Sequence, residues 1–490
     1  MVFSSVEFLY FYLPAVLAVY FLTPKKFKNA ALFASGLIFY AFGEPVYVFV
    51  LLISCLIDYF AGLIMSANDE KPKVRKACLG VSIALNLGLL GAFKYTSFIV
   101  GSINSLFGSS IPLNIYAAAS NSLFGTHFSL SSIILPIGIS FFTFQSMSYT
   151  IDLYMRKIEV QRSFINFAAY VTMFPQIVAG PIVRYRDVSE RLEERSVSAS
   201  NLSEGVTRFT RGLAKKVLLA NNVGRLWESV SASELTSLPA ATAWLGIIAF
   251  TFQIYFDFSG YSDMAVGLGK MLGFDFPENF DLPYISKSVR EFWRRWHMTL
   301  GEWFKSYVYF PLGGSRCGSK KTIRNLAIVW LLTGLWHGAS WNFVLWGGWF
   351  GLLIIAEHFF LGKLLDKLPS FVGWLYTMLA VVFGWVLFQT DSLSSALGYF
   401  GAMFGSAGIF GDRETMRLLS ENSVILALCV FFASDAPKNI RARLEEKFGS
   451  SGVRFSAFTA VSPLVTLVLL AASTAYLVNE GYNPFLYFNF

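Results

Sequence analysis

Charge is scarce in this sequence. Only 14% of its 490 residues are Asp, Glu, Lys or Arg, where a soluble domain usually carries about 25%. Cysteine is nearly absent too: Cys55, Cys78, Cys317 and Cys429 stand far apart, with no CxxC pair and no metal-ligand spacing. That excludes a disulfide framework and gives no support to a zinc site. No GxSxG elbow, GxxxxGK[ST] loop or HExxH helix occurs, so a serine hydrolase, a phosphate-loop ATPase and a zincin lack support. What abounds is apolar surface: 55% hydrophobic residues, 17% aromatic, 50 Phe and a mean hydropathy of +0.54. A soluble chain has nowhere to put these. The composition predicts an all-α polytopic membrane protein in contact with lipid and excludes a nucleic-acid binder. The excess of 39 Lys+Arg over 31 Asp+Glu reads as topology, since such an excess collects in cytoplasmic loops.

Apolar windows of about 17 to 25 residues predict roughly ten or eleven membrane segments. The run 6–22 lacks a basic flank and a small-residue cleavage site, so it reads as a retained first helix. Lys25, Lys26 and Lys28 follow it; Lys71, Lys73, Arg75 and Lys76 follow a hairpin turning at Glu44 and Pro45; Arg156, Lys157 and Arg162 follow the apolar run 133–149. Placing all three clusters in the cytoplasm puts the N-terminus outside it. With no internal repeat and no detachable soluble domain, residues 1–490 read as a single integral-membrane domain.

Two stretches depart from simple spans. Residues 184–216 mix many Arg and Lys with Asp and Glu, too polar to span, and are expected at the cytoplasmic surface. Residues 257–314 alternate aromatic and charged residues with Gly and Pro, so no apolar helix of ~20 residues fits there. Irregular backbone at membrane depth survives only inside protein or beside a water-filled cavity, which makes this stretch the expected functional core.

Four histidines are present. His127, in the polar stretch 121–132, and His358, at the end of an apolar span, read as interfacial. His337 lies in the apolar tract 332–349 beside Trp336, Gly338 and Trp341, and an ionisable group inside the membrane is a functional candidate by default. The competing reading is a histidine bonded to a neighbouring helix. His297 closes the tract EFWRRWHMTL, 291–300, where a helix would put Trp293 and Trp296 on one face with Arg294 and Arg295 elsewhere, as in an interfacial belt. The HxxxxD pattern fails at both, since His297 is followed at that spacing by Glu302 and His337 by Asn342. General-base chemistry by a neutral imidazole remains, typically worth ~10²- to 10⁴-fold in rate.

The tracts 255–300 (YFDFSGYSDMAVGLGKMLGFDFPENFDLPYISKSVREFWRRWHMTL), 306–314 (SYVYFPLGG) and 334–338 (GLWHG), with 135–154, 174–185 and the closing NPFLYFNF at 483–490, resemble the membrane-bound O-acyltransferase (MBOAT) family. The likeness is greatest to its bacterial branch concerned with alginate O-acetylation, whose relatives acetylate peptidoglycan or cellulose or pass D-alanine to teichoic acids. The resemblance implies a ring of tilted helices around a thin central funnel, with His337 at the position of the family histidine and His297 at that of the branch's second histidine. It implies no bound cofactor, acetyl-CoA as donor, and an exported polysaccharide and a periplasmic acetyltransferase-type protein as partners, in a bacterial inner membrane. Candidate substrate-binding residues are Trp336, Trp296, Trp293, Arg294, Arg295, Asn279, Asp263 and Asp257. For donor phosphates the basic candidates are Arg294, Arg295, Lys305, Arg316, Lys320, Lys321 and Arg324, the last three reading better as membrane anchors. His337, in the drier setting, is assigned the base, and His297 a positioning or thioester-polarising role. A polar-solute transporter lined by Asp257, Asp263, His297 and His337, or a non-catalytic scaffold of a polysaccharide secretion complex, are the alternatives. The irregular stretch occurs once, whereas transporters often show matching halves.

Overall fold

The structure, a computed structural model, describes residues 1–124, 127, 129–131, 133–448 and 452–486. Among these residues the chain is helical throughout, its one β pairing an antiparallel bridge between Phe280 and Trp296. Helices satisfy their own backbone donors and acceptors, which lipid cannot do. Among the described residues six are long and apolar enough to cross a bilayer: Val48–Ala67, Pro72–Phe107, Ala240–Met271, Trp341–Leu365, Ser370–Gln389 and Arg413–Phe432, with shorter apolar helices at Phe8–Leu22 and Pro463–Asn479. The protein is a multi-pass membrane protein. Several of the apolar runs in the sequence form helices shorter than these. The run 133–149, for example, becomes helical only at Ile139, in a helix of 16 residues, Ile139–Tyr154. At 1.5 Å per residue that is about 24 Å, against a hydrocarbon core of about 30 Å.

The chain divides into two compact units, one of Met1, Ala15–Ser196 and Leu335–Ser340, the other of Val2–Pro14, Val197–Gly334 and Trp341–Phe490. In the first, α1 (Lys28–Gly43) and α2 (Val48–Ala67) form the hairpin that Glu44 and Pro45 forecast. They are followed by α3 (Pro72–Leu90), α4 (Ile139–Tyr154) and α5 (Phe164–Thr172). A Cβ on Gly36 of α1 would lie 2.0 Å from the Thr172 carbonyl oxygen of α5, so only glycine allows that approach. Buried Asp58 of α2 accepts hydrogen bonds from Ser82 Oγ (2.5 Å) and Asn86 Nδ2 (2.9 and 3.0 Å) of α3, and Ser82 also bonds Thr150 of α4 (3.2 Å). Polar side chains thus join three helices, as they do between helices in lipid. Arg75, counted above among loop cations, is instead buried. It pairs with Asp69 and donates to the Leu153 and Tyr154 carbonyls (3.0 and 3.1 Å), answering groups that a helix C-terminus leaves unsatisfied.

In the second unit α6 (Ala199–Ala214) packs along α7 (Ala240–Met271). Cβ atoms on Gly205 and Gly212 of α6 would meet the Gly267 and Gly260 carbonyls of α7 at 2.7 and 2.5 Å. The two glycine pairs, each seven residues apart, let the backbones touch. One face of α6 is buried by this packing, at Gly205, Phe209, Thr210, Gly212, Leu213 and Ala214, while Glu193, Glu194, Glu204 and Arg211 of the stretch 184–216 are exposed. The start of the irregular stretch is corrected, because α7 runs unbroken to Met271. Its acidic residues are neutralised by ion pairs, Asp257 with Lys216 (2.7 Å), Asp263 with Lys215 (2.6 Å) and Arg208 (2.6 Å). A hydropathy window counts each charge alone and so reads the helix as a break. Asp257 also accepts the Leu486 N–H (3.0 Å), which ties down the closing tract; residues 487–490 of that tract lie outside those described.

Candidate active site

The motif around His297 is built by local signals. Ser288 caps α8 (Val289–Arg295), its side chain accepting the Glu291 N–H (3.0 Å), while Glu291 reaches back to the Lys287 N–H (2.9 Å). Ser-Val-Arg-Glu is the S-x-x-E signature of such a start. Glu357 adds a second cap by accepting the N–H groups of Val289 (2.7 Å) and Arg290 (2.9 Å); nothing in its local sequence had singled it out. The helix stops at Arg295, so Trp296 is extended and His297 is left-handed, at φ 46°. Residues 279–281 pair with 295–298 through Asp281 N–H to Arg295 O (2.9 Å) and Met298 N–H to Asn279 O (3.0 Å).

That break overturns the belt expectation for the two tryptophans. Trp296 is 1% exposed and packs on Phe280, Tyr284, Phe292 and Trp385, whereas Trp293 packs on Trp330, Trp346 and Phe350. Phe292 packs on both, 5.2 Å from Trp293 and 5.5 Å from Trp296 between centroids, so the two belong to one connected aromatic cluster.

His297 is buried, edge-on to Phe258 (4.8 Å between centroids). Asn279 Oδ1 receives the Thr299 N–H (3.1 Å) and hydroxyl (2.8 Å), which identifies it as the acceptor oxygen, and it lies 3.2 Å from His297 Nδ1. Nδ1 therefore carries the proton and Nε2 is the basic nitrogen. His297 lies outside the spanning helices, and burial pushes its imidazole down to about 3, so it is neutral at physiological pH. Asn279, expected to touch substrate, is itself buried and orients the ring. Asn279→Ala is expected to lower kcat about tenfold or more in a protein that still elutes as folded, since small misplacements of reacting groups are costly. An unchanged kcat would show that the ring is held by other contacts.

Trp293, Trp296, His297 and Arg294 come together on the wall of one cavity of about 710 Å³, with Arg290 and Lys305 also on it. Its size falls within the range of about 300 to 1,000 Å³ typical of ligand sites. Arg295 turns away to Asp281 (3.1 Å) and Glu291 (3.0 Å), and Arg316, Lys320, Lys321 and Arg324 are exposed and do not line the cavity. Asp257 and Asp263 are held in the ion pairs described above. His127 and His358 are exposed; of the stretch around His127, Gly125, Thr126, Phe128 and Ser132 lie outside the described residues.

His337 belongs to the first unit, with Trp336. It ends α9 (Ser319–His337) and is 2% exposed, and Trp336 packs on Phe141 and Phe144 of α4 at 5.2 and 5.9 Å. Among the described residues no group of three His, Cys, Asp or Glu is placed to hold a metal ion.

Residues 156–397 match the family model of MBOAT, the membrane-bound O-acyltransferase family. The chain is 38% identical over 510 residues to a probable alginate O-acetylase AlgI of Pseudomonas putida, with all of both chains covered. The chain belongs to the membrane-bound O-acyltransferase family. It is also 35% identical over 537 residues to the probable alginate O-acetylase AlgI of Pseudomonas aeruginosa, again over all of both chains. To the peptidoglycan O-acetyltransferase of Helicobacter pylori it is 29% identical over 534 residues, which takes in all of this chain and 98% of that one. As an acyltransferase it needs a group that takes a proton from the attacking hydroxyl, and its two buried histidines are the candidates.

Proposed function

We propose that this acyltransferase moves an acetyl group from a cytoplasmic donor, acetyl-CoA, toward an exported polysaccharide of the alginate type, directly or through a periplasmic acetyltransferase-type partner. The observation that carries the reading is the likeness to alginate O-acetylases over the entire chain, joined to a cavity that holds a neutral imidazole and cations suited to phosphate oxygens. In this reading His337 takes the proton of the attacking hydroxyl, the oxygen attacks the thioester carbonyl, and the CoA thiolate leaves. His297 has the positioning role: with its Nδ1 proton on Asn279, its unprotonated Nε2 can accept a hydrogen bond from a substrate group but has no proton with which to polarise the thioester carbonyl. The test is turnover by the purified full-length protein with labelled acetyl-CoA, offered alginate or a periplasmic acceptor protein. Label in either acceptor supports the proposal; no label in any acceptor, with uptake of a polar solute into liposomes, would favour transport instead.

The proposal places the protein in a bacterial inner membrane with its N-terminus outside the cytoplasm, because Lys25, Lys26, Lys28, Lys71, Lys73 and Lys76 flank the first helices on one side. In a background lacking the four native cysteines, Lys28→Cys and Lys73→Cys are expected to resist an impermeant thiol reagent in intact cells, while Glu44→Cys reacts. Labelling of Lys28→Cys with none of Glu44→Cys would invert the topology and put the donor on the wrong side.

A further inference from the structure

Helix α9 ends on His337, so its last carbonyls have no N–H of their own helix to accept, and at membrane depth water is not there to replace it. Two consecutive residues from another helix meet this need. Tyr95 Oη donates to the Leu335 carbonyl (2.7 Å); Lys94 Nζ donates to the Trp336 carbonyl and lies 3.4 Å from that of His337 and 3.2 Å from Ser140 Oγ of α4. Neighbouring residues on an α-helix point about 100° apart and do not readily converge on one target. Here α3 passes into a π-helical turn, Gly91–Tyr95, and such bulges occur frequently at functional sites.

Lys94 is only 7% exposed. A buried ammonium in a membrane bundle is costly, and a neutral donor would cap the helix for less. Its two backbone partners are the peptide groups on either side of the His337 Cα, so holding them sets the direction in which the imidazole leaves the chain. The ammonium also stands 5.9 Å from the Trp336 ring centroid, securing the residue before it.

We propose that Lys94 and Tyr95 are positioning residues for His337, clamping the end of its helix so that the imidazole is held ready for proton transfer. This rests on the reading of His337 as the base. The test uses full-length purified Lys94→Met, Lys94→Arg and Tyr95→Phe, each checked by gel filtration. Two quantities are measured: kcat and KM for acetyl transfer, and the rate at which diethylpyrocarbonate modifies His337, resolved by peptide mass against the exposed His127 and His358. Lys94→Met is expected to lower kcat on the order of 10- to 100-fold with donor KM within about twofold, and to speed modification of His337 relative to the references. Lys94→Arg restores much of the rate, and Tyr95→Phe loses several-fold. A folded Lys94→Met with wild-type kcat and wild-type His337 reactivity overturns the clamp. If Lys94→Met does not fold, Tyr95→Phe and Lys94→Arg decide by the same two measurements. Wild-type turnover in His337→Ala would remove the base and not the clamp, which the reactivity of His337 still judges.

Discussion

His337→Ala is expected to give a folded, membrane-inserted protein whose acetyl transfer is lower by ~10²- to 10⁴-fold, the usual contribution of a positioned general base. The side chain is 2% exposed, in a setting that excludes the water which would otherwise compete for the proton. His337→Gln keeps volume and hydrogen bonding but cannot accept a proton at neutral pH, so it should be equally inactive. His297→Asn retains a hydrogen-bonding group for a positioning role and is expected to keep measurable turnover, whereas His337→Asn is not. The measurement is labelled-acetate transfer by variants that elute with wild-type. Wild-type rates in His337→Ala would end its assignment, and the reverse pattern for the two Asn variants would exchange the roles.

Lys216→Met should have the largest effect on stability. Lys216 and Asp257 are almost wholly buried (side chains 3% and 2% exposed) and 2.7 Å apart. Removing one partner of such a pair typically costs about 3 to 5 kcal/mol, because the other charge is left without compensation. Lys216 also donates to Asn221 (2.8 Å) and to the Pro484 carbonyl, and Asp257 accepts from Leu486, so the variant should release the C-terminal segment as well. Thermal unfolding followed by gel filtration in detergent should show a large drop for Lys216→Met and substantial recovery for Lys216→Met with Asp257→Asn. If instead Lys216→Met melts like wild type while losing activity, Asp257 belongs to the reaction or a transport path and not to the scaffold.

The helix hairpin at Glu44 and Pro45 and the burial of His337 were legible in local residue patterns, and the S-x-x-E signature at the start of α8 is local too, whereas His297, read in an interfacial setting, is buried. The first three depend on neighbours within a few positions. The roles of Asp257, Asp263 and Arg75 were not legible, because a lone charge in an apolar context reads the same whether it lines a cavity or meets a partner from another helix. The tryptophans of the 291–300 tract misled for a related reason: the spacing assumed a continuous helix, and the pairing of 279–281 with 295–298 ends it at Arg295.

The sequence by itself determined that this is a helical multi-pass membrane protein of the O-acyltransferase family, since composition, apolar runs and motif tracts are properties read along the chain. Tertiary structure alone decided which cations are buried partners of carboxylates, that Asn279 fixes the tautomer of His297, and that Lys94, 243 positions from His337, reaches the end of its helix. The physical reason is that hydropathy adds residue by residue, whereas the cost of burying a charge, a carbonyl or an imidazole is set by whatever the fold brings against it.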